Sequence, residues 1–144
     1  MSKRTSISNA IANKFKDING TDIYLTNIFG NSYPYLKFWD EVNDFPCVYM
    51  TNGTELREYH PDGFKWGYLN ITLKLYAKGE DSSMQLENLL ADIETVIDNN
   101  RQVVYDAVNG YETTEIQILS ITTDAGLLAP YAIGEMNLQV RYDV

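Results

Sequence analysis

Gly67-Tyr68-Leu69-Asn70-Ile71-Thr72-Leu73-Lys74-Leu75-Tyr76-Ala77 is the stretch on which the fold turns. Its odd positions Leu69, Ile71, Leu73, Leu75 and Ala77 are apolar, while Trp66, Tyr68, Asn70, Thr72, Lys74 and Tyr76 are polar or aromatic. Successive side chains of an extended chain point to opposite faces, so a period of two held this long predicts a half-buried antiparallel strand. One of its faces is greasy and the other polar-aromatic.

Working upstream, residues 46–51 and 54–60 flank Asn52-Gly53, a pair suited to the φ > 0 positions of a two-residue hairpin turn. That reading pairs Tyr49 with Leu56 and Val48 with Arg57. His60-Pro61-Asp62-Gly63 predicts a second reversal, with Pro presetting φ and Gly supplying the left-handed position. The two turns together predict a three-strand meander. Before them, Ile7, Ile11 and Ile18 share one side of a helix over residues 6–18, flanked by Ala10 and Phe15 and interrupted by Lys14. Residues 19–45, punctuated by Gly20, Gly30 and Pro34, read as a loop with one short strand. Long irregular segments of this kind are often binding loops.

Downstream, Gly79 ends the strand and Ser82-Ser83-Met84-Gln85 has the spacing of a capping box. The helix that follows, to about residue 99, gathers Leu86, Leu89, Leu90, Ile93, Val96 and Ile97 into one stripe. Glu87, Asn88, Asp92, Glu94, Thr95 and Asp98 are assigned to its solvated side. Two further strands are expected, at residues 115–122 with a short piece before it at 103–105, and at 132–144. Met136, Leu138, Val140, Tyr142 and Val144 line one face of the last. The order predicts an α+β fold, an antiparallel sheet of about four to six strands with two helices packed on one face. No repeat or linker divides the chain, so residues 1–144 are expected to form one domain.

Twenty acidic residues against 11 basic give a net charge of -9, which argues against a tight nucleic-acid binder and against docking on an anionic membrane. Cys47 is the only cysteine, so neither an intramolecular disulfide nor a thiolate metal cluster can form within one chain. Asn9, Asn13, Lys14 and Lys16 interrupt the N-terminal segment, which therefore does not read as a signal peptide. A soluble protein made in a reducing cytoplasm is expected. Tyrosine reaches 11 of 144 residues, enough to supply either contact surfaces or a packed sheet.

Chemistry is scarce. His60, the only imidazole, precedes a Pro-Asp-Gly turn, where a solvated strand-end histidine is the ordinary explanation. Without a second histidine or a reactive thiol, nucleophile–base pairing has little to draw on, and Cys47 reads as a small buried hydrophobe. Asp92, Glu94 and Asp98 fall on a helix face, Asp81 and Asp124 near turns, and none has calcium-loop or two-metal spacing. Gly126 and Gly134 lack the Lys and Ser/Thr of a phosphate loop. No catalytic, metal-binding or cofactor-binding residue is assigned.

Strand length is the unusual feature. Residues 65–77 and 132–144 would each extend roughly 40 Å at about 3.3 Å per residue, beyond the usual range. A small domain covers only part of such a strand, and the remainder is buried by a partner or interrupted by a bulge. The partner reading makes Tyr59, Phe64, Trp66, Tyr68 and Tyr76 candidate subunit-interface residues, with Trp66, Tyr68 and Tyr76 as a row on the face away from the helices.

Several of these segments resemble a known family. They include Phe45-Pro46-Cys47-Val48-Tyr49, Glu58-Tyr59-His60-Pro61-Asp62-Gly63-Phe64-Lys65-Trp66 and Leu69-Asn70-Ile71-Thr72-Leu73. To these add the helix Leu86-Glu87-Asn88-Leu89-Leu90-Ala91-Asp92-Ile93-Glu94, then Thr123-Asp124-Ala125-Gly126-Leu127-Leu128-Ala129-Pro130-Tyr131, and the ending Val140-Arg141-Tyr142. Over about residues 45–144 the chain resembles the tail terminator, or tail-completion, proteins of long-tailed bacteriophages. The resemblance implies a non-enzymatic virion protein, assembled in the host cytoplasm and located at the head-proximal end of the tail. It also implies a homo-hexameric ring that caps the finished tube, stops its polymerisation and presents a docking surface to the neck. The implied partners are further copies of itself, the tail tube protein, the head-completion protein and, where the tail is contractile, the sheath. DNA would pass through the lumen without specific binding, and no cofactor is implied. Another ring-forming tube or neck protein, and a small host-directed binding module, are the competing readings. A hydrolase is the weakest for want of a nucleophile and base.

Overall fold

Lys65–Lys78 forms the central strand in a computed structural model that describes residues 1–144. In chain order the elements are α1 (Lys3–Phe15), β1 (Ser32–Tyr33), β2 (Cys47–Tyr59), β3 (Lys65–Lys78), α2 (Ser82–Asn99), β4 (Val104–Asp106), β5 (Tyr111–Glu112), β6 (Glu115–Thr123) and β7 (Tyr131–Asp143). Strands β1-β2-β3-β7-β6, in that order, make a five-stranded sheet, and β4 and β5 form a separate two-stranded ribbon. The architecture is α+β with two helices. Because β1 runs parallel to β2, the sheet is mixed and not purely antiparallel.

The period-two reading of residues 67–77 is realised residue by residue. Leu69, Ile71, Leu73, Leu75 and Ala77 are fully buried, and β7 places Met136, Leu138, Val140 and Tyr142 beside them. Both helices lie on this face. Ile7, Ile11 and Phe15 from α1 and Leu86, Leu89, Leu90, Ile93, Val96 and Ile97 from α2 join the strands in one 26-residue core. The approach of α2 is set by Gly134, where an added Cβ would lie 3.0 Å from Leu86 Cδ1. A side chain there would press on the Leu86 methyl and force it to give way.

The Asn52-Gly53 hairpin does not form. Residues 47–59 run as one strand paired with β3 throughout, and the register shift between Asn52 and Glu55 marks a bulge. A continuous partner in β3 outweighs the local turn preference, since folding back at residue 52 would unpair half of both strands. The predicted three-strand meander is therefore a two-strand hairpin closed at Pro61-Asp62-Gly63, with Gly63 at φ +85°.

Helix starts differ from expectation in detail. Ser2, whose Oγ accepts the Thr5 N–H at 3.2 Å, caps α1 and moves its start ahead of residue 6. At α2 the cap position is Asp81, and Gln85 Nε2 reaches back to its carboxylate at 2.7 Å in place of the Ser82 box. Asp92 is the larger correction. It is 1% exposed, and its carboxylate accepts the Leu25 N–H, the Thr26 N–H and the Thr26 hydroxyl at 2.6–3.1 Å. Its place three residues after Leu89 and four before Val96 puts it on the buried stripe, where it anchors the 19–31 loop to the helix.

Candidate subunit-interface surface

The sheet face opposite the helices is divided in two. Near β3's C-terminal end, residues 33–46 fold across it and close a second small core of Val42, Cys47, Tyr49 and Tyr76, with Tyr33, Phe45 and Ile133 packed against it. Tyr76 is only 4% exposed, and its hydroxyl donates to the Lys37 carbonyl at 2.7 Å. It therefore belongs to the chain's own interior and not to an exposed aromatic row. Tyr49 stacks on Tyr33 with ring centroids 4.9 Å apart. Burial pushes the Tyr49 and Tyr76 phenols up to about 12, and the Cys47 thiol likewise to about 12, so that thiol is inert.

Towards the 60–64 turn the same face stays open. Asn70, Thr72 and Lys74 lie beside Gln139, Asn137 and Glu135 across the β3–β7 pairing. Side-chain bonds tie these together: Thr72 to Asn137 at 3.0 Å, Asn137 to Ser120 at 3.0 Å and Lys74 to Glu135 at 3.4 Å. The face is polar with its Lys–Glu charges paired.

The other four candidates gather at this end. Phe64 meets Trp66 edge to face at 4.7 Å, and the Arg141 guanidinium sits 4.8 Å from the Trp66 ring centroid. Tyr68 bonds Glu58 and lines, with Gln117, Gln139 and Arg141, a shallow depression of about 170 Å³. All three aromatic rings are half-buried, whereas Tyr59 at the end of β2 is 69% exposed. Leu56, opposite Tyr68 and 61% exposed, belongs with them and was missed. Its signal was hidden by the assumed hairpin, which set it against Tyr49.

Two sheet edges are open. The edge of β2 is covered by β1 only at Val48 and Tyr49, with Met50 donating to the Tyr35 carbonyl and the Arg4 guanidinium donating to the Gly53 carbonyl at 2.6 Å, which leaves residues 54–59 free. On the far side β6 pairs with β7 alone. It exposes Leu119 and Ile121 at 53% and 46%, and a register shift between Ile118 and Ser120 interrupts its pairing with β7.

His60 Nε2 lies 3.0 Å from Glu58 Oε1 without the alignment of a hydrogen bond, beside the 60–64 turn. No group of three or more His, Cys, Asp or Glu residues is placed to hold a metal ion. No helix is long and apolar enough to cross a membrane.

These features can be set beside known proteins. A chain from the virion of a native gene transfer agent particle shares the fold, with a TM-score of 0.66 over 99% of this chain and all of that one, at 10% identity. Tail tube terminator protein p142 of Escherichia phage T5 is 39% identical over 99% of this chain and 94% of its own length. The family described as bacteriophage tail tube terminator protein matches residues 1–144. The full-length match, in family and in relative alike, means that this chain belongs to the bacteriophage tail tube terminators, structural proteins of the virion tail.

Proposed function

We propose that this protein ends the tail tube as a ring of six copies at the head-proximal end of the tail, acting by geometry and without catalysis. One annular surface matches the last tube ring, and the opposite one refuses further tube subunits and receives the neck. The observation that carries this reading is the terminator match across all of residues 1–144, which we take as one terminator domain. Tyr59, Phe64, Trp66 and Tyr68, with Leu56, are the proposed contacts between neighbours.

The charge balance suits a wall past which DNA slides. Each Lys or Arg bound to a phosphate adds salt-dependent affinity, and the chain carries 20 acidic against 11 basic residues. Purified protein is expected to show no appreciable affinity for duplex DNA at physiological salt.

Infection without the protein tests the function. The expected products are unjoined heads, with tubes that are unstable or run past their proper length. Normal, head-joined tails of uniform length would overturn the proposal.

A further inference from the structure

We propose that Asn19-Gly20 is a self-modifying site, at which Asn19 exchanges its side-chain amide for a carboxylate with the help of Thr21. The inference goes beyond the terminator reading and does not depend on it.

The chemistry needs only water. The Gly20 backbone nitrogen attacks Asn19 Cγ and passes its proton to solvent. The Cγ–Nδ2 bond then breaks, and that nitrogen takes up a proton and leaves as ammonia. The cyclic imide left behind adds water at either carbonyl. Addition at Cγ gives aspartate. Addition at the main-chain carbon gives isoaspartate, in which the backbone runs through the side chain.

Three Asn-Gly dipeptides lie in the chain, at residues 19–20, 52–53 and 109–110. Glycine favours the attack in all of them, because it sets no side chain against the rotation that brings the nitrogen to Cγ. Their surroundings differ. Asn52 is paired with Ile71 inside the sheet, and its backbone can rotate only when the strands open. Asn109 is exposed in the turn of the β4–β5 ribbon, where its leaving nitrogen Nδ2 donates to Asp106 Oδ2 at 2.8 Å. That bond does nothing for the carbonyl oxygen.

At Asn19 the carbonyl oxygen itself is held. The residue is exposed, and its Oδ1 accepts the Thr21 N–H at 3.0 Å and the Thr21 hydroxyl at 2.6 Å. Negative charge develops on this oxygen as the nitrogen adds to Cγ, so both donors already stand where the transition state needs them. The loop also demands glycine next to it. Gly20 has φ +77°, and an added Cβ would stand 3.2 Å from Asn27 Cβ. The reactive pair is therefore built into the turn.

The products differ in consequence. Asn19 forms a bridge with Asn27, and the Ile28 N–H donates to the Ile18 carbonyl at 3.2 Å, which together close the neck of the 19–31 loop. Aspartate keeps this backbone and adds a charge between Asp17 and Asp22 in the sequence. Isoaspartate lengthens the backbone at the neck and breaks the register of the bridge, freeing the loop that carries the exposed Ile23, Leu25 and Phe29.

Peptide mass spectrometry of the purified full chain, held in mildly alkaline buffer and sampled over weeks, tests the site. Asn19 should convert first and Asn109 later, while Asn52 stays an amide until the sheet opens. Thr21→Val should slow Asn19 by about threefold to tenfold, the worth of one exposed hydrogen bond, and leave Asn109 unchanged. Thr21→Ser, which keeps the hydroxyl, should restore the rate. In denaturant the three sites should convert alike, with no effect of Thr21→Val. Slower conversion at Asn19 than at Asn109 in the folded protein would overturn the proposal, as would a Thr21→Val variant that converts at the unaltered rate.

Discussion

Tyr142 donates its hydroxyl to Glu55 across a distance of 2.6 Å, fastening the end of β7 to the far half of β2. The Glu55 side chain is 4% exposed and also receives Arg57 Nε at 2.7 Å. The ring of Tyr142 lies over Gly67, its cross-strand partner, where an added Cβ would stand 2.7 Å from Cε1. Gly67 is thus the one position of β3 where the central strand gives its side-chain space to a neighbour. This corner holds the 51–59 edge in place.

Tyr142→Phe should lower stability by about 1.5–3 kcal/mol, the range for a hydrogen bond to a charged group. Gly67→Val should cost about 1–3 kcal/mol by displacing the ring. Denaturant midpoints measure both. Unchanged midpoints would mean that the corner is frayed in solution.

Leu90 lies in the core beneath α2 and beside Gly134. Leu90→Ala should cost about 2–5 kcal/mol by thermal or chemical unfolding. A change within error would place the helix away from the sheet.

Asp92→Ala should expose its role as an anchor. Three donors of Leu25 and Thr26 lose their acceptor, so amide exchange should accelerate at residues 24–27 while β3 and β7 keep their protection. Uniform acceleration across the sheet would contradict a local role.

Alkaline titration reads the second core. Tyr49 and Tyr76 are raised from 10.0 to about 12 when folded, so their contribution is complete below the unfolded value of 10.0. It is lost as pH rises through about 12. Stability should therefore fall between about pH 10 and pH 12, with part of the tyrosinate absorbance appearing only as the chain unfolds. Titration of every tyrosine near pH 10 with the fold intact would show that residues 33–46 do not cover the sheet.

Regular periodicity made β3, α2 and β7 legible, because Leu69 to Ala77, Leu86 to Ile97 and Met136 to Tyr142 each face a single apolar layer. Where a residue's role depends on a distant partner, local reading failed. Asn52-Gly53 carries the composition of a turn, yet the partner strand held it extended as a bulge. Asp92 has the composition of a solvated helix face, yet the loop donors it satisfies lie 66 and 67 residues away. Tyr76 alternates correctly onto the face away from the helices, but nothing local announces that residues 33–46 return to cover it. Phe64 and Trp66 meet because the 60–64 turn was itself readable, whereas Tyr59, paired with Lys65, falls on the other face of the sheet from Trp66 and Tyr68.

Labelling this protein in intact virions and imaging them by electron microscopy addresses the central claim most directly. One site of label per particle, at the junction of tail and head, is the predicted result. Label repeated along the tail would identify a tube subunit instead, and label absent from the particle would remove the protein from the tail altogether.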